Sequence, residues 1–383
     1  MALHFDRKDY DQRMEKTVVA MVERGLDALL MFKQESMYWL TGYDTFGYCF
    51  FQCLILRADG EMVLLTRAPD LRQAQNTSII DDIRIWVDRD GATPADDLKD
   101  LLKRGGLEGK RLGIEYDATG LTAARGKQVD AKLEGFAVAT DASELVSTLR
   151  LVKSDAELDY VRRAAELADD ALHAAVDTTK AGVDEGTILA AMQGAVFQGG
   201  GDYPGNPFII GSGPDALLCR YKSGRRKLDE KDQLTLEFAG VYRQYHACLM
   251  RTLVISEPSS RELAMAAAAE EALLACEEAL RPGNVMGAVF DTHAQVMDAH
   301  GMRTHRLNAC GYSLGTVYAP CWMDWPMFYT GNPVVIEANM VFFLHMILMD
   351  SEAGLAMCLG RTSVVTETGA DVLSKASIDL LVR

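Results

Sequence analysis

The stretch LEFAGVYRQYHACLMRT (236–252) reads as a tight β-hairpin with unusual contents. In its first strand Leu234, Leu236 and Phe238 alternate with Gln233, Thr235 and Glu237, so Glu237 lies on the face away from the apolar set. In the returning strand His246, Cys248, Met250 and Thr252 point one way, and Tyr245, Ala247, Leu249, Arg251 and Leu253 the other. A carboxylate, an imidazole and a thiol held together could ligate a metal, do acid–base or nucleophilic work, or simply pack. A lone strand glutamate is usually solvated, a lone cysteine is usually core, and a lone histidine is usually a satisfied one. Here the apolar flanks make an unpaired carboxylate costly, which argues for a use.

Two further segments carry candidate groups. His345 is embedded in the apolar run MVFFLHMILM, either as hydrogen-bonded core or as part of a site. The segment CGYSLGTVYAPCWMDWP (310–326) brackets Tyr312 and Ser313 with glycines and then supplies Tyr318, Trp322 and Trp325. Such a loop suits the wall of a small-molecule pocket, or equally a packed aromatic loop. Ser313 has no GxSxG context, so a serine-hydrolase elbow is not supported. Arg220 and Arg251 each offer a planar fork for a substrate carboxylate, or a structural ion pair.

The rest of the chain must position these groups. Its 383 residues are 49 % hydrophobic and 25 % charged, enough for a large core and two domains. The formal net charge of −16 disfavours nucleic acid and anionic membranes, and GRRK (224–227) is too short to reverse that. The N-terminal MALHFDRKDYDQRMEK has no apolar signal core and no window approaches a membrane span, so a cytoplasmic location is expected. The eight cysteines include no CxxC pair, which points to reduced, buried thiols rather than a zinc ribbon or redox motif.

Residues 1–147 alternate helical and strand patterns, as in DYDQRMEKTVVAMVERG, DALLMF, TPADDLKDLLKRGG and KRLGIEY, and predict an α/β domain. Residues 148–383 predict an α+β domain. Ser154–Glu157 and Ser259–Glu262 both fit capping boxes that open long helices, DEGTILAAMQGAVFQ and NVMGAVFDTHAQVMDAHG are further helices, and the last segments are strand-like. No internal repeat is evident, and MAAAAEEA is simply good helix.

Seven segments in this order, MYWLTGY (37–43), TLRLVKSDAELDYVRRAAELAD (148–169), FIIGSGPDA (208–216), the hairpin, GYSLG (311–315), ANMVFFLHMIL (338–348) and SVVTETG (363–369), resemble the prolidase, aminopeptidase P and creatinase superfamily across essentially the whole chain. The resemblance implies a smaller N-terminal α/β domain, a C-terminal pita-bread catalytic domain, and a homodimer in which the partner's N-terminal domain helps to close each site. Metal-dependent members carry two aspartates, a histidine and two glutamates at positions that fall here on Glu237, Cys248, Tyr312, His345 and Gly360, and no residue type is kept. A histidine near FIIGSGPDA, which creatinase uses as acid/base, falls on Arg220. Two divalent ions need bridging carboxylates, and one carboxylate remains. A single zinc on Glu237, Cys248 and His345 would be acceptable in ligand type alone.

Within the superfamily, GYSLGTVYAPCW and the Glu-containing hairpin look similar to ectoine hydrolases, and creatinase is the other metal-free relative. The resemblance therefore implies hydrolysis of a C–N bond in a small amidine, guanidine or cyclic amide, without metal or other cofactor. Glu237 would be nucleophile or base, His345 and His246 would move protons, and Tyr312 would steady the tetrahedral intermediate. Arg220 would bind the substrate carboxylate, Trp322 and Trp325 would stack on a planar cation, and the partner's Phe46 and Tyr48 would cap the pocket. The alternatives are a metal-dependent Xaa-Pro peptidase and a non-catalytic binding module.

Overall fold

The computed structural model describes residues 3–220 and 224–383. The chain forms two compact units, Met1–Arg150 and Leu151–Arg383. The first comprises α1 (Arg7–Glu23), β1 (Ala28–Met31), α2 (Gln34–Thr41), β2 (Cys53–Arg57), β3 (Met62–Thr66), α3 (Leu71–Thr77), β4 (Asp82–Ile85), α4 (Pro94–Arg104), β5 (Arg111–Ile114), α5 (Ala123–Leu133), β6 (Val138–Asp141) and α6 (Leu145–Leu149). Its strands make one mixed sheet in the order β4-β3-β2-β1-β5-β6. Alternate residues of β1 feed two cores: Ala28 and Leu30 join one, Leu29 and Met31 the other. A strand covered on both faces must be apolar at every position, and ALLM is.

Glu115, at the end of β5, is fully buried and accepts hydrogen bonds from the Phe32 and Lys33 amides and from the Ser36 hydroxyl at 2.6 Å. Burial pushes its carboxyl up to about 7. It thereby anchors the start of α2, whose end leads into the loop that carries Phe46 and Tyr48.

The second unit comprises α7 (Asp155–Thr178), α8 (Glu185–Gln198), β7 (Ile209–Ser212), β8 (Asp232–Tyr242), β9 (Tyr245–Ile255), α9 (Ser260–Ala279), α10 (Met286–Ala299), β10 (Gly311–Ser313), β11 (Asp324–Met327), β12 (Val341–Asp350), β13 (Leu355–Thr366), β14 (Gly369–Val372) and β15 (Leu381–Val382). Both expected capping boxes are present, Ser154 with Glu157 opening α7 and Ser259 with Glu262 opening α9. The main sheet runs β11-β10-β12-β13-β9-β8-β7. Contrary to the sequence reading, this unit is a repeat. Two helices, a short strand and a long hairpin occur twice, and the halves meet antiparallel at β9 and β13. The helix α7 packs on β8 and β9 as α9 packs on β12 and β13. Gly240 permits that approach in the first half, because a β-carbon there would collide with the Ala164 carbonyl of α7.

The join is built from one pentad used twice, CLMRT (248–252) in β9 and CLGRT (358–362) in β13. Only two positions pair directly, Met250 with Gly360 and Leu249 with Arg361. On either side a threonine hydroxyl replaces the backbone ladder. Thr362 Oγ1 accepts from the Cys248 amide at 2.8 Å and donates to the Cys248 carbonyl at 3.0 Å. Thr252 Oγ1 accepts from the Cys358 amide at 2.8 Å and donates to the Cys358 carbonyl at 3.3 Å.

The pentad arginines point to the helix-covered face. Arg361 grips Glu277 through two bonds of 2.7 Å. Arg251 stands opposite Leu236 in the ladder and donates to the Met250 and Gly360 carbonyls at 2.8 Å. It therefore lies on the opposite face from Glu237, which corrects the expectation that it could clamp a substrate.

Removing either seam hydroxyl strips a partner from a buried amide. Thr362→Val and Thr252→Val should each lower unfolding stability by about 1–3 kcal/mol in denaturant melts, while Thr362→Ser should stay near wild type. An unchanged midpoint for both valine variants would assign the join to the two directly paired positions alone.

Candidate active site

The register aligns four residues in one row across the sheet. Glu237 on β8 is opposite Met250 on β9, Met250 is opposite Gly360 on β13, and Gly360 is opposite His345 on β12. Directly opposed residues share a face, so Glu237 and His345 emerge on the same side, away from the helices. They are three strand spacings apart, about 14 Å between backbones. Tyr312 on β10 is opposite Phe343, two residues from His345, and shares that face.

Tyr312 bridges the gap. Its hydroxyl points to Glu237 Oε1 at 3.4 Å, and its ring centre lies 5.7 Å from that of His345. The Trp322 indole N–H donates to the same hydroxyl at 2.9 Å. Trp322 is in turn held by the turn at 205–206: its amide donates to Asn206 Oδ1 at 3.2 Å, and a β-carbon on Gly205 would sit 3.0 Å from its backbone. Trp322 is only 1 % exposed, so it orients Tyr312 instead of presenting the free stacking wall expected of it. Trp325 is 38 % exposed.

Burial governs the charges. It pushes the Glu237 carboxyl up to about 7, against the opposing pull of the Arg220 charge and the Tyr312 hydrogen bond. It holds the Tyr312 hydroxyl well above its ordinary range, so Tyr312 remains a donor. It drives His345 down to about 3, helped by the charges of His293 and Arg220, and His345 is neutral at pH 7 with Nδ1 lacking a partner among the described residues. The expected cationic proton shuttle at His345 therefore does not fit its surroundings.

His246 shares the face, but both ring nitrogens are engaged. Nε2 accepts the Gly205 amide at 2.8 Å, which leaves Nδ1 to donate to the Gln244 carbonyl at 2.9 Å. It is a satisfied, neutral histidine that ties the hairpin to the 205–206 turn, and the shuttle expected of it has no free atom to work through.

Arg220 is exposed on the turn that follows β7. Glu185, in the first turn of α8, holds the flanks of that turn: it accepts the Ser212 amide at 2.9 Å, the Ser212 hydroxyl at 2.6 Å and the Gly224 amide at 2.9 Å. Residues 221–223 lie outside the description. Phe46, 79 % exposed, and the half-buried Tyr48 belong to the first unit, on the loop after α2.

The donor set does not fit a dinuclear metal centre. Among the described residues no three His, Cys, Asp or Glu side chains cluster as ligands would. Cys248 is fully buried, with its thiol pushed well above its ordinary range. At Gly360 a β-carbon would meet the Phe343 ring at 2.9 Å, so an aromatic edge occupies the space a side chain would need. The single-zinc set fails as well, because Glu237, Cys248 and His345 are not gathered as three ligands would be.

Sequence reasoning missed Gly205, Asn206 and the apolar floor beside Glu237. Ile347 and Met349 were available from strand alternation, being in phase with His345. Pro204-Gly205-Asn206-Pro207 marks the 205–206 turn in the sequence but not its role, which exists only once Trp322 and His246 are brought to it.

Residues 159–367 match the family model for metallopeptidase family M24, and residues 13–152 match that for the creatinase/prolidase N-terminal domain. The chain is 27 % identical to ectoine hydrolase of Halomonas elongata over 100 % of this chain and 99 % of that protein. It is 21 % identical to Xaa-Pro dipeptidase of Pyrococcus furiosus over 97 % of this chain and 99 % of that one. Among solved structures, an Xaa-Pro dipeptidase from Bacillus anthracis superposes with a TM-score of 0.84 at 19 % identity, covering 98 % of this chain and 100 % of that chain. A prolidase from Thermococcus sibiricus gives 0.86 at 19 % identity, covering 98 % and 99 %. With more than half its length matched, and with the fold of the prolidases, the chain belongs to metallopeptidase family M24, here with an N-terminal creatinase/prolidase-type unit and a pita-bread unit whose face carries a single central carboxylate.

Proposed function

We propose that this protein hydrolyses a C–N bond in a small cationic amidine, guanidine or cyclic amide without a metal. The observation that carries the reading is Glu237: one buried carboxylate, poised near neutrality, with a tyrosine donor aimed at it. Its ionised form complements an amidinium or guanidinium and is basic enough to act on the electrophilic carbon, directly or through water. A carboxyl near 7 can also return the acquired proton to the leaving nitrogen, so one group serves both steps and no imidazolium is required. Tyr312, fixed by Trp322, donates to the oxygen that gains charge, and Arg220 binds the substrate carboxylate. The relative named ectoine hydrolase supports the same substrate class. The Xaa-Pro dipeptidase reading, taken from the names of other relatives, would need a ligand set these residues do not supply. The proposal extends to a homodimer in which the partner's loop bearing Phe46 and Tyr48 caps the site. Phe46→Ala should then raise KM several-fold with little change in kcat.

Glu237→Gln should lower kcat by about 10³-fold or more on an ectoine-type or guanidino substrate. The same change should raise stability at pH 8 by up to about 3 kcal/mol. A carboxyl moved from 4.5 to about 7 binds its proton more tightly when folded, so stability falls as pH rises between those values and glutamine avoids the loss. Full turnover by the glutamine variant would remove Glu237 from the mechanism.

The kcat/KM profile should rise through about pH 7 and level off above it, because the base works deprotonated. The kcat limb should lie lower, since the bound cation favours the carboxylate. Chelator treatment should leave turnover unchanged. Activity that requires added manganese, with Xaa-Pro dipeptides as substrates, would replace this reading with the peptidase one.

A further inference from the structure

The face around Glu237 is unlike on its two sides. Toward Thr235 and Cys358 lies an apolar cavity lined by Met250, Ile347 and Met349, with Glu237 at its rim. Toward Cys248 and Phe343 lie Tyr312 and Trp322, one just before and one within a loop that is closed at its neck. There Ser313 on β10 is opposite Asp324 on β11, and the ladder skips Trp325 and Pro326 before Met327 meets Tyr312. Such a bulge re-aims side chains. At the neck stands Lys153, 3 % exposed and used by nothing in the mechanism above. Its ammonium donates to the Leu151 carbonyl at 3.0 Å. Its backbone is fixed to the segment that enters β12, since its amide donates to the Asn339 carbonyl at 3.0 Å and Val152 bridges Met340. A β-carbon on Gly315 would lie 3.2 Å from Lys153 Cε, 3.3 Å from Nζ and 3.6 Å from Asp324 Oδ2. The ammonium and the carboxylate therefore both lie against one bare α-carbon of the loop. A buried ammonium is costly unless opposite charge and hydrogen bonds offset it. A methionine would fill the same space without that cost, which argues for a use of the charge.

On the reading of Glu237 given above, we propose that Lys153 is a positioning residue for the reaction. Its ammonium, seated with Asp324 against Gly315, locks the neck of the 313–324 loop and so holds the Tyr312 hydroxyl and the Trp322 indole in place at Glu237. Lys153 touches no reacting atom and acts through the loop. From Gly315 the loop is also tied to the hairpin: the Gly315 carbonyl accepts the His246 amide at 3.2 Å, Thr316 bridges Tyr245, and the Val317 amide donates to the Gln244 carbonyl at 3.3 Å. Gly315 is required because any side chain there would push the ammonium from its seat. Without the lysine charge the neck shifts, and the contact with least margin is the bond from Tyr312 to Glu237, already long at 3.4 Å.

The test uses Lys153→Met, which keeps the length of the side chain and removes its charge. kcat should fall about 10- to 100-fold with KM within about twofold of wild type, the pattern of a misplaced catalytic group. The kcat/KM limb should move up from about pH 7, because Glu237 loses the tyrosine hydrogen bond that opposes its desolvation. Tyr312→Phe should move the limb equally, and adding Lys153→Met to Tyr312→Phe should cost no more. The emission of Trp322, taken as the difference between wild type and Trp322→Phe, should shift to the red in Lys153→Met. Gly315→Ala keeps the lysine and should reproduce both changes, so it decides the matter if Lys153→Met does not fold. A lower melting temperature with limb and emission unmoved overturns the assignment, as does an additive loss in the Lys153→Met, Tyr312→Phe double variant. If the wild type turns over no amidine or guanidine, the hydrolase reading falls, and the Trp322 emission alone decides the role of Lys153.

Discussion

Two threonine hydroxyls hold the site in register. Each bonds both the amide and the carbonyl of the cysteine in the opposite pentad, so they pin β9 to β13 where only two residue pairs meet directly. The whole candidate site on this face depends on this join. A slip of one residue would turn every side chain of one half to the other face. Glu237 would then look out from one surface while Tyr312 and His345 looked out from the other. The hydroxyls resist that slip because a displaced threonine leaves two buried backbone groups without partners.

Once the strands are in register, desolvation decides what each group can do. The same burial acts with opposite sign on acid and base, raising the carboxyl and lowering the imidazole. Glu237 ends near the working pH of most enzymes, whereas His345 and His246 end far below it, at about 3 and about 4. The electrostatic difference between the candidates thus follows from the chemistry of the charged form, not from how well each is placed. Arg220 sharpens the contrast, because its charge stabilises the carboxylate and opposes the imidazolium.

Much of this was legible in the chain. Alternation in LEFAGVY and YHACLMRT placed Glu237, His246 and Cys248 on one face, and Ser-x-x-Glu marked the starts of α7 and α9. The family resemblance gathered Tyr312, His345 and Glu237 into one site. What alternation could not say is which face of a strand buried on both sides is the working one, and on that point Arg251 went astray. Trp322 and His246 were misjudged for a related reason. Their types suit stacking and proton transfer, but the 205–206 turn engages their polar atoms, and such a contact between distant segments has no local signature. The repeat was present in plain letters, as CLMRT and CLGRT, and passed unnoticed because a five-residue echo carries weight only when the two copies lie against each other.

That repeat explains the form of the site. The approximate twofold of the second unit passes between Met250 and Gly360, so the row Glu237, Met250, Gly360, His345 reads the same from either end. Glu237 and His345 therefore occupy equivalent places in the two halves, on equivalent strands, the two ends of one symmetric frame. The symmetry is broken only by side chains. Methionine at 250 stands beside Glu237 and floors the apolar cavity, whereas glycine at 360 leaves its space to the Phe343 ring. One end of the row thus gains a charged rim with an apolar recess, and the other is filled by aromatic packing around a neutral imidazole. A frame whose two halves offer equivalent strand positions is thus made unlike at its two ends by residue choice at four positions.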